Sequence, residues 1–223
     1  ASLAGNVSGG AVTLTGARTG NVTAGTVSAG SMAGNVGSSV TVTGLLNGEI
    51  TAGTNSLGSL TSASVTGGTN TITGAATVTT LNGGALTVGG VATVTTLTTG
   101  TLNANGATAV VTTLNGGNIA LASTALTVSA GTHAGVISGA TGTLTKATAG
   151  TLILSGANTF GGAITISAGT LQIGAGSTTG SIGAGAIANA GKRFPTDTLL
   201  MFNSFNAIQI NIIPPTIVMA STW

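Results

Sequence analysis

Charge is scarce in this chain: 3% of its 223 residues are Asp, Glu, Lys or Arg, against about a quarter in an ordinary soluble domain. Cysteine and tyrosine are absent, and there is one tryptophan. The three prolines, Pro195, Pro214 and Pro215, all lie near the end. Each absence excludes something. Without cysteine there is no disulfide framework. Without clustered Lys/Arg and aromatics there is no nucleic-acid face. The formal charge of +2 arises from Arg18, Lys146, Lys192 and Arg193 against Glu49 and Asp197, so the basic balance reflects scarcity and not a basic patch. No run of about 18 apolar residues exists to span a bilayer as a helix. Collagen needs glycine at every third position with abundant proline, and neither condition is met. Disorder is a poor fit too, because Val, Ile and Thr are abundant.

What is present is repetition. Gly-Asn-Val occurs at Gly5-Asn6-Val7, Gly20-Asn21-Val22 and Gly34-Asn35-Val36, at spacings of 15 and 14. Leu81, Leu97 and Leu114 are spaced by 16 and 17, the first and last inside the pentapeptide Thr-Leu-Asn-Gly-Gly. Leu152 and Leu171, each in Gly-Thr-Leu, are 19 apart. One unit therefore recurs along the chain and drifts slowly in length. Inside it are short alternating triplets such as Thr41-Val42-Thr43 and Thr77-Val78-Thr79, whose central side chain faces one way and whose threonines face the other. Glycine pairs and Asn-Gly steps mark turns, and glycine this frequent disfavours helix by about 1 kcal/mol each.

Strands so short do not persist alone. Coiled into rungs and stacked, each pairs with its copy in the next rung. The expected fold is all-β: a single parallel β-solenoid over residues 1–191, of roughly a dozen rungs. At about 4.8 Å per rung it would be a rod roughly 50–60 Å long. Leu81, Leu97 and Leu114 are expected in one inward column. Asn82 and Asn115 with their glycines are expected at corners, and Asn6, Asn21 and Asn35 as turn residues.

The stretch from Gly135 to Ser177 carries a more specific pattern: Gly-Thr-Leu-x-Leu-Ser-Gly-x-Asn-Thr-aromatic over Gly150–Phe160, then Gly161-Gly162, then Ala-Gly-Thr-Leu-x-Ile-Gly over Ala168–Gly174. This resembles the strand repeat of bacterial autotransporter passenger domains. The resemblance implies a parallel β-helix carried to the outside of a bacterium. It also implies Leu152, Leu154, Ile164, Ile166, Leu171 and Ile173 as core positions, Phe160 as a corner filler and Asn158 as a turn residue. It implies no catalysis. Autotransporters end in a barrel of amphipathic strands, for which there is no room before Trp223. A barrel removed, a barrel never present and a stand-alone secreted relative remain open, as do a signal peptide removed ahead of Ala1 and a chain that is a fragment.

After Gly191 the style changes. Residues 192–223 contain no glycine, all the prolines and four of the five aromatics. The expected non-repetitive strands are 198–202, 208–212 and 216–220. Phe202, Phe205, Ile208, Ile210, Ile212 and Trp223 are candidate assembly residues, serving as a cap on the last rung or a connector to a neighbouring subunit.

Chemistry is nearly absent. Glu49 and Asp197 stand many rungs apart, too far for the facing carboxylates of glycoside hydrolysis. His133, in Ser-Ala-Gly-Thr-His-Ala-Gly-Val, reads as a solvent-facing turn residue. Calcium-binding nonapeptides need repeated aspartates, which are missing. No metal, cofactor, nucleic acid or membrane span is expected, and no enzyme. The leading expectation is an extracellular structural subunit that stacks into a homo-oligomeric filament through its ends and tail. The alternative is a passenger or adhesin stalk at the bacterial cell surface, with a host or cell-surface ligand. Ice binding ranks lower, because Thr-x-Thr triplets do not recur once per rung on a fixed face.

Overall fold

A computed structural model of the chain describes residues 2–175, 180–189, 198–201 and 217–219. Its backbone divides into two compact units, Ala1–Gly106 and Ala107–Trp223. Each is a parallel β-solenoid, and the two hold about 11 turns among the described residues. Those residues contain strands and turns and no helix. The expected break at residue 191 lies outside the described residues.

In the first unit every strand pairs in parallel with its copy one rung on. The consequence for side chains is a set of vertical columns. One inward column runs Val7, Val22, Val36, Ile50, Val65, Leu81, Leu97. It joins the Gly-Asn-Val motif to the Thr-Leu-Asn-Gly-Gly motif, two phrases that look unrelated in sequence. A second runs Leu3, Arg18, Met32, Leu46, Leu60, Ala76, Ala92. A third runs Ala29, Val42, Leu57, Ile72, Val88, Ala104. Apart from Leu3 and Arg18, all of these belong to the buried hydrophobic core. β-Branched and leucine side chains stacked at rung spacing fill the interior.

Thr-Leu-Asn-Gly-Gly shows how a corner is made. Leu81 points into the core while the strand Ala76–Val88 runs on through the bend. Gly84 has φ 65°, a left-handed conformation that L side chains rarely adopt. A Cβ there would come 2.5 Å from the Gly67 carbonyl carbon of the rung below. Glycine is therefore required twice over, by backbone sign and by the closeness of the neighbouring rung.

In the second unit the columns continue the same logic with longer rungs. Ala109, Leu126, Leu144, Ile164 and Ile187 form one, and Leu152 stacks on Leu171. Each step of that first column spans more sequence than the one before it, from Ala109–Leu126 up to Ile164–Ile187. All of them exceed the step from Val22 to Val36 in the first unit. The drift visible in sequence thus continues beyond the longest spacing expected, that of Leu152 and Leu171. Backbone pairing carries on through Thr198–Met201, laid on Thr170–Ile173, and Ile217–Met219, laid on Thr198–Met201.

The Thr-x-Thr triplet itself does not recur once per rung, but a broader hydroxyl pattern does run over part of the first unit. On four successive rungs the outward face carries a hydroxyl pair, bounded by Ala11 on the rung before and Ala85 on the rung after. Thr26, Ser39, Thr54 and Thr69 stack in one column. Two positions further along each strand, Ser28, Thr41, Ser56 and Thr71 stack in the next. Counting only Thr-x-Thr hid this, because serine takes one place in three of the four pairs.

Truncating Leu97, fully buried on Leu81, should cost about 3 kcal/mol. Chemical denaturation of Leu97→Ala should show that loss as a lower midpoint. A change within experimental error would mean that the column is not tightly packed.

Candidate functional site

Among the described residues the outward surface is chemically bare, so the polar side chains that matter there are inside the columns or at the corners. Among the described residues no group of three or more His, Cys, Asp or Glu comes together that could hold a metal ion, and no helix is long and apolar enough to cross a membrane. Asp197 lies outside the described residues. Glu49 is half-buried at a corner, its carboxylate accepting from Asn35 Nδ2 at 3.4 Å.

The Gly-Asn-Val asparagines form a staircase on one corner. Asn21 N–H donates to Asn6 Oδ1, Asn35 N–H to Asn21 Oδ1, and Glu49 N–H to Asn35 Oδ1, at 2.9, 2.9 and 3.1 Å. Each side chain satisfies a backbone donor of the next rung that the bend takes out of the strand ladder. Asn82 is exposed and accepts from the hydroxyls of Thr98 and Thr99. Asn115 is exposed just after the strand Thr108–Leu114. Asn158 is buried. Its Oδ1 accepts from Ile137 N–H at 2.8 Å, and its Nδ2 donates to the Gly156 and Ser181 carbonyls. Leu81, Leu97, Leu114, Leu152, Leu154, Ile164, Ile166, Leu171, Ile173 and Phe160 are all buried. Phe202, Phe205, Ile208, Ile210, Ile212 and Trp223 fall outside the described residues.

Sequence reasoning missed two inner asparagines. Asn55 and Asn70 occupy a column position held by Val40 below and Leu86 and Leu102 above. Asn55 Oδ1 accepts from Val40 N–H, Asn55 Nδ2 donates to Asn70 Oδ1 at 2.7 Å, and Asn70 Nδ2 donates to the Gly67 and Ala85 carbonyls. The only signal was the rung-length spacing between Thr54-Asn55 and Thr69-Asn70.

Two of the four cations are also inside. Arg18, 1% exposed, replaces an aliphatic residue between Leu3 and Met32. Its guanidinium donates to the carbonyls of Gly20, Gly5 and Asn21 at 2.7, 2.8 and 3.1 Å. Burial draws its pKa below the ordinary value, though a guanidinium still keeps its charge. Lys146 stands in the column Val111, Val128, Lys146, Ile166. Fully buried, it donates to the carbonyls of Thr148 and Ala168. Both long cations thread the core and end on corner carbonyls. Glu49 is thus the one charged side chain among the described residues that reaches solvent.

His133 is a correction to the sequence reading. It was expected to face solvent in a turn, yet it is 0% exposed at the end of the strand Ala125–His133. Gly131 pairs with Leu152 and His133 with Leu154, so Gly131 takes an inward position with no side chain. That disguised the inward alternation as a turn.

These rungs include the stretch that carried the sequence resemblance. Residues 144–173 match the passenger-associated-transport-repeat. The match runs from Leu144 through the strands Thr151–Leu154, Ile164–Ile166 and Thr170–Ile173. It thus covers one circuit of the second unit and part of the next, consistent with an autotransporter passenger repeat segment. No curated protein and no solved structure matches the chain.

The inner asparagine pair gives a clear test. Asn70→Leu should destabilise by about 2–3 kcal/mol, because it removes the acceptor of one Asn55 N–H and the donor to the Gly67 and Ala85 carbonyls. The double variant Asn55→Val/Asn70→Leu should be destabilised further, since it also leaves the Val40 N–H and the Ala52 carbonyl without the Asn55 amide. Equal midpoints for the single and double variants in urea unfolding would refute this.

Proposed function

We propose that this chain is a non-enzymatic rod segment of passenger type, displayed outside a bacterial cell, whose solenoids associate with further copies into a filament or surface fibre. The passenger-repeat match on the rungs at 144–173 carries the first half of this reading. The second half rests on surface electrostatics. With Arg18 and Lys146 buried, almost no like-charge repulsion remains among the described residues to hold rods apart, and a net charge near zero favours association. The columns of backbone pairs are the same device that lets strand edges accept another chain. A stalk that presents a binding partner, with host or cell-surface ligands, is the neighbouring reading and shares the same solenoid.

The display half is tested by placing residues 1–223 between a secretion signal and a translocating barrel. Protease added to intact cells should remove the chain. Protection from protease until the outer membrane is broken would contradict it. For the association half, Thr41→Lys/Thr71→Lys puts two charges on the outward hydroxyl column without touching the core. Surface changes of this kind shift stability by about 0.5 kcal/mol or less. The melting temperature should therefore hold while sedimentation at low salt shifts to smaller species and recovers as salt screens the charge. Unchanged sedimentation, with fibres absent from electron micrographs of the parent protein, would remove the filament.

The regular hydroxyl columns favour one second reading, binding to an ordered water lattice. Thermal hysteresis in concentrated protein decides it, and none detected would end the idea.

A further inference from the structure

Among the described residues, every buried polar group in the columns above has partners except one ring. Both nitrogens of His133 are buried without a hydrogen-bond partner, alongside only the Nε of Arg18, whose other nitrogens are bonded. A neutral imidazole always has one N–H to donate and one lone pair to fill, so this site is under-satisfied even before it is charged. The surroundings offer no remedy. Leu154 lies directly above, with Ile173 above that. Continuing the register that pairs Thr113 with Ala130 puts Gly116 directly beneath. A Cβ on Gly135 would come 3.0 Å from the ring's Cε1, so the ring fills the space left by two glycines.

No charge of either sign supports the ring. Its own strand Ala125–His133, the facing strands Thr151–Leu154 and Thr170–Ile173, and residues 115–118 beneath contain no other titratable side chain. Lys146, on the strand Thr143–Lys146 that pairs with Ala125–Val128, brings positive charge only, and its ammonium is turned to the Thr148 and Ala168 carbonyls. A second proton on this ring would therefore place an unpaired cation in an aliphatic column.

We infer that His133 is an acid-operated release built into the second unit: protonation expels the ring and opens the rungs around residues 113–116, 131–135 and 152–155, while the rest of the ladder stays paired. Solenoid rungs touch only their neighbours, so such an opening stays local. Burial holds the folded His133 pKa down to about 4, from an ordinary 6.5; the Gly116 backbone pulls weakly the other way without reaching hydrogen-bond geometry. The sign follows. The opened form takes its proton as pH falls through 6.5, and the closed form does so only near 4. The closed state is therefore at full strength above 6.5 and is progressively lost between 6.5 and 4. At pH 4.5 these two values shift the closed-to-open ratio by roughly 100-fold. The chain has one histidine and two side-chain carboxylates, so few other groups compete to explain an acid transition.

The experiment is hydrogen exchange on the full chain at pH 7.5 and pH 4.5, corrected for intrinsic rates, beside His133→Leu, which continues the column of Leu154. The wild type should lose protection in those three segments by roughly 100-fold, and His133→Leu should lose none. Equal acid losses in both proteins, or an intact wild type at pH 4.5, would overturn the proposal. Should His133→Leu fold poorly, the imidazole 15N shifts of the single histidine give an independent answer. Signals of the folded wild type should stay neutral down to pH 5, and a midpoint near 6.5 in the folded protein would overturn the proposal equally.

Discussion

Everything in this molecule depends on one constraint: each rung must lie in register on the one before it, close enough for parallel backbone hydrogen bonds. That distance sets the composition. At the tightest bends, such as Gly84, a Cβ would strike the backbone of the rung below, so glycine is needed there. The interior is filled by stacked columns that are mostly Val, Leu, Ile and Ala. Outward positions do no packing, so small β-formers such as Thr and Ser suffice. The sparse vocabulary of the chain is what repeated stacking leaves behind.

The same constraint explains where polar groups went. Bends take backbone donors and carbonyls out of the strand ladder, and each must find a partner. Exposed corners use asparagine oxygens. Corners closer to the core use Arg18 and Lys146, whose long stems lie among aliphatic neighbours while their heads reach carbonyls. In an ordinary domain such cations would sit on the surface and confer solubility. Here they act as internal fasteners, and among the described residues Glu49 alone is left to carry surface charge.

Much of this was legible in sequence. Alternating triplets, glycine-marked turns and a drifting period were enough for a parallel solenoid, because strand alternation and turn chemistry are local. The passenger-like stretch was legible because its motif is long and ordered. What escaped the reading depends on which rung lies above which. Asn55 and Asn70 look like surface residues until they are placed in one column between Val40 and Leu86. His133 looks like a turn residue because Gly131 occupies an inward place silently. The hydroxyl columns were hidden because serine and threonine were counted as different letters, although they fill one role. The glycine-free tail is set apart by composition alone.

The lengthening of the rungs has a consequence for folding fidelity. A stack of identical repeats has no unique alignment, and a strand that docks one rung too far loses nothing. In the second unit the steps from Ala109 to Leu126, Leu144, Ile164 and Ile187 grow each time, so a strand docked one place off would leave a surplus of chain with nowhere to go. The steps in length work like the unequal teeth of a key. They let a chain with little else to distinguish one repeat from the next find a single alignment.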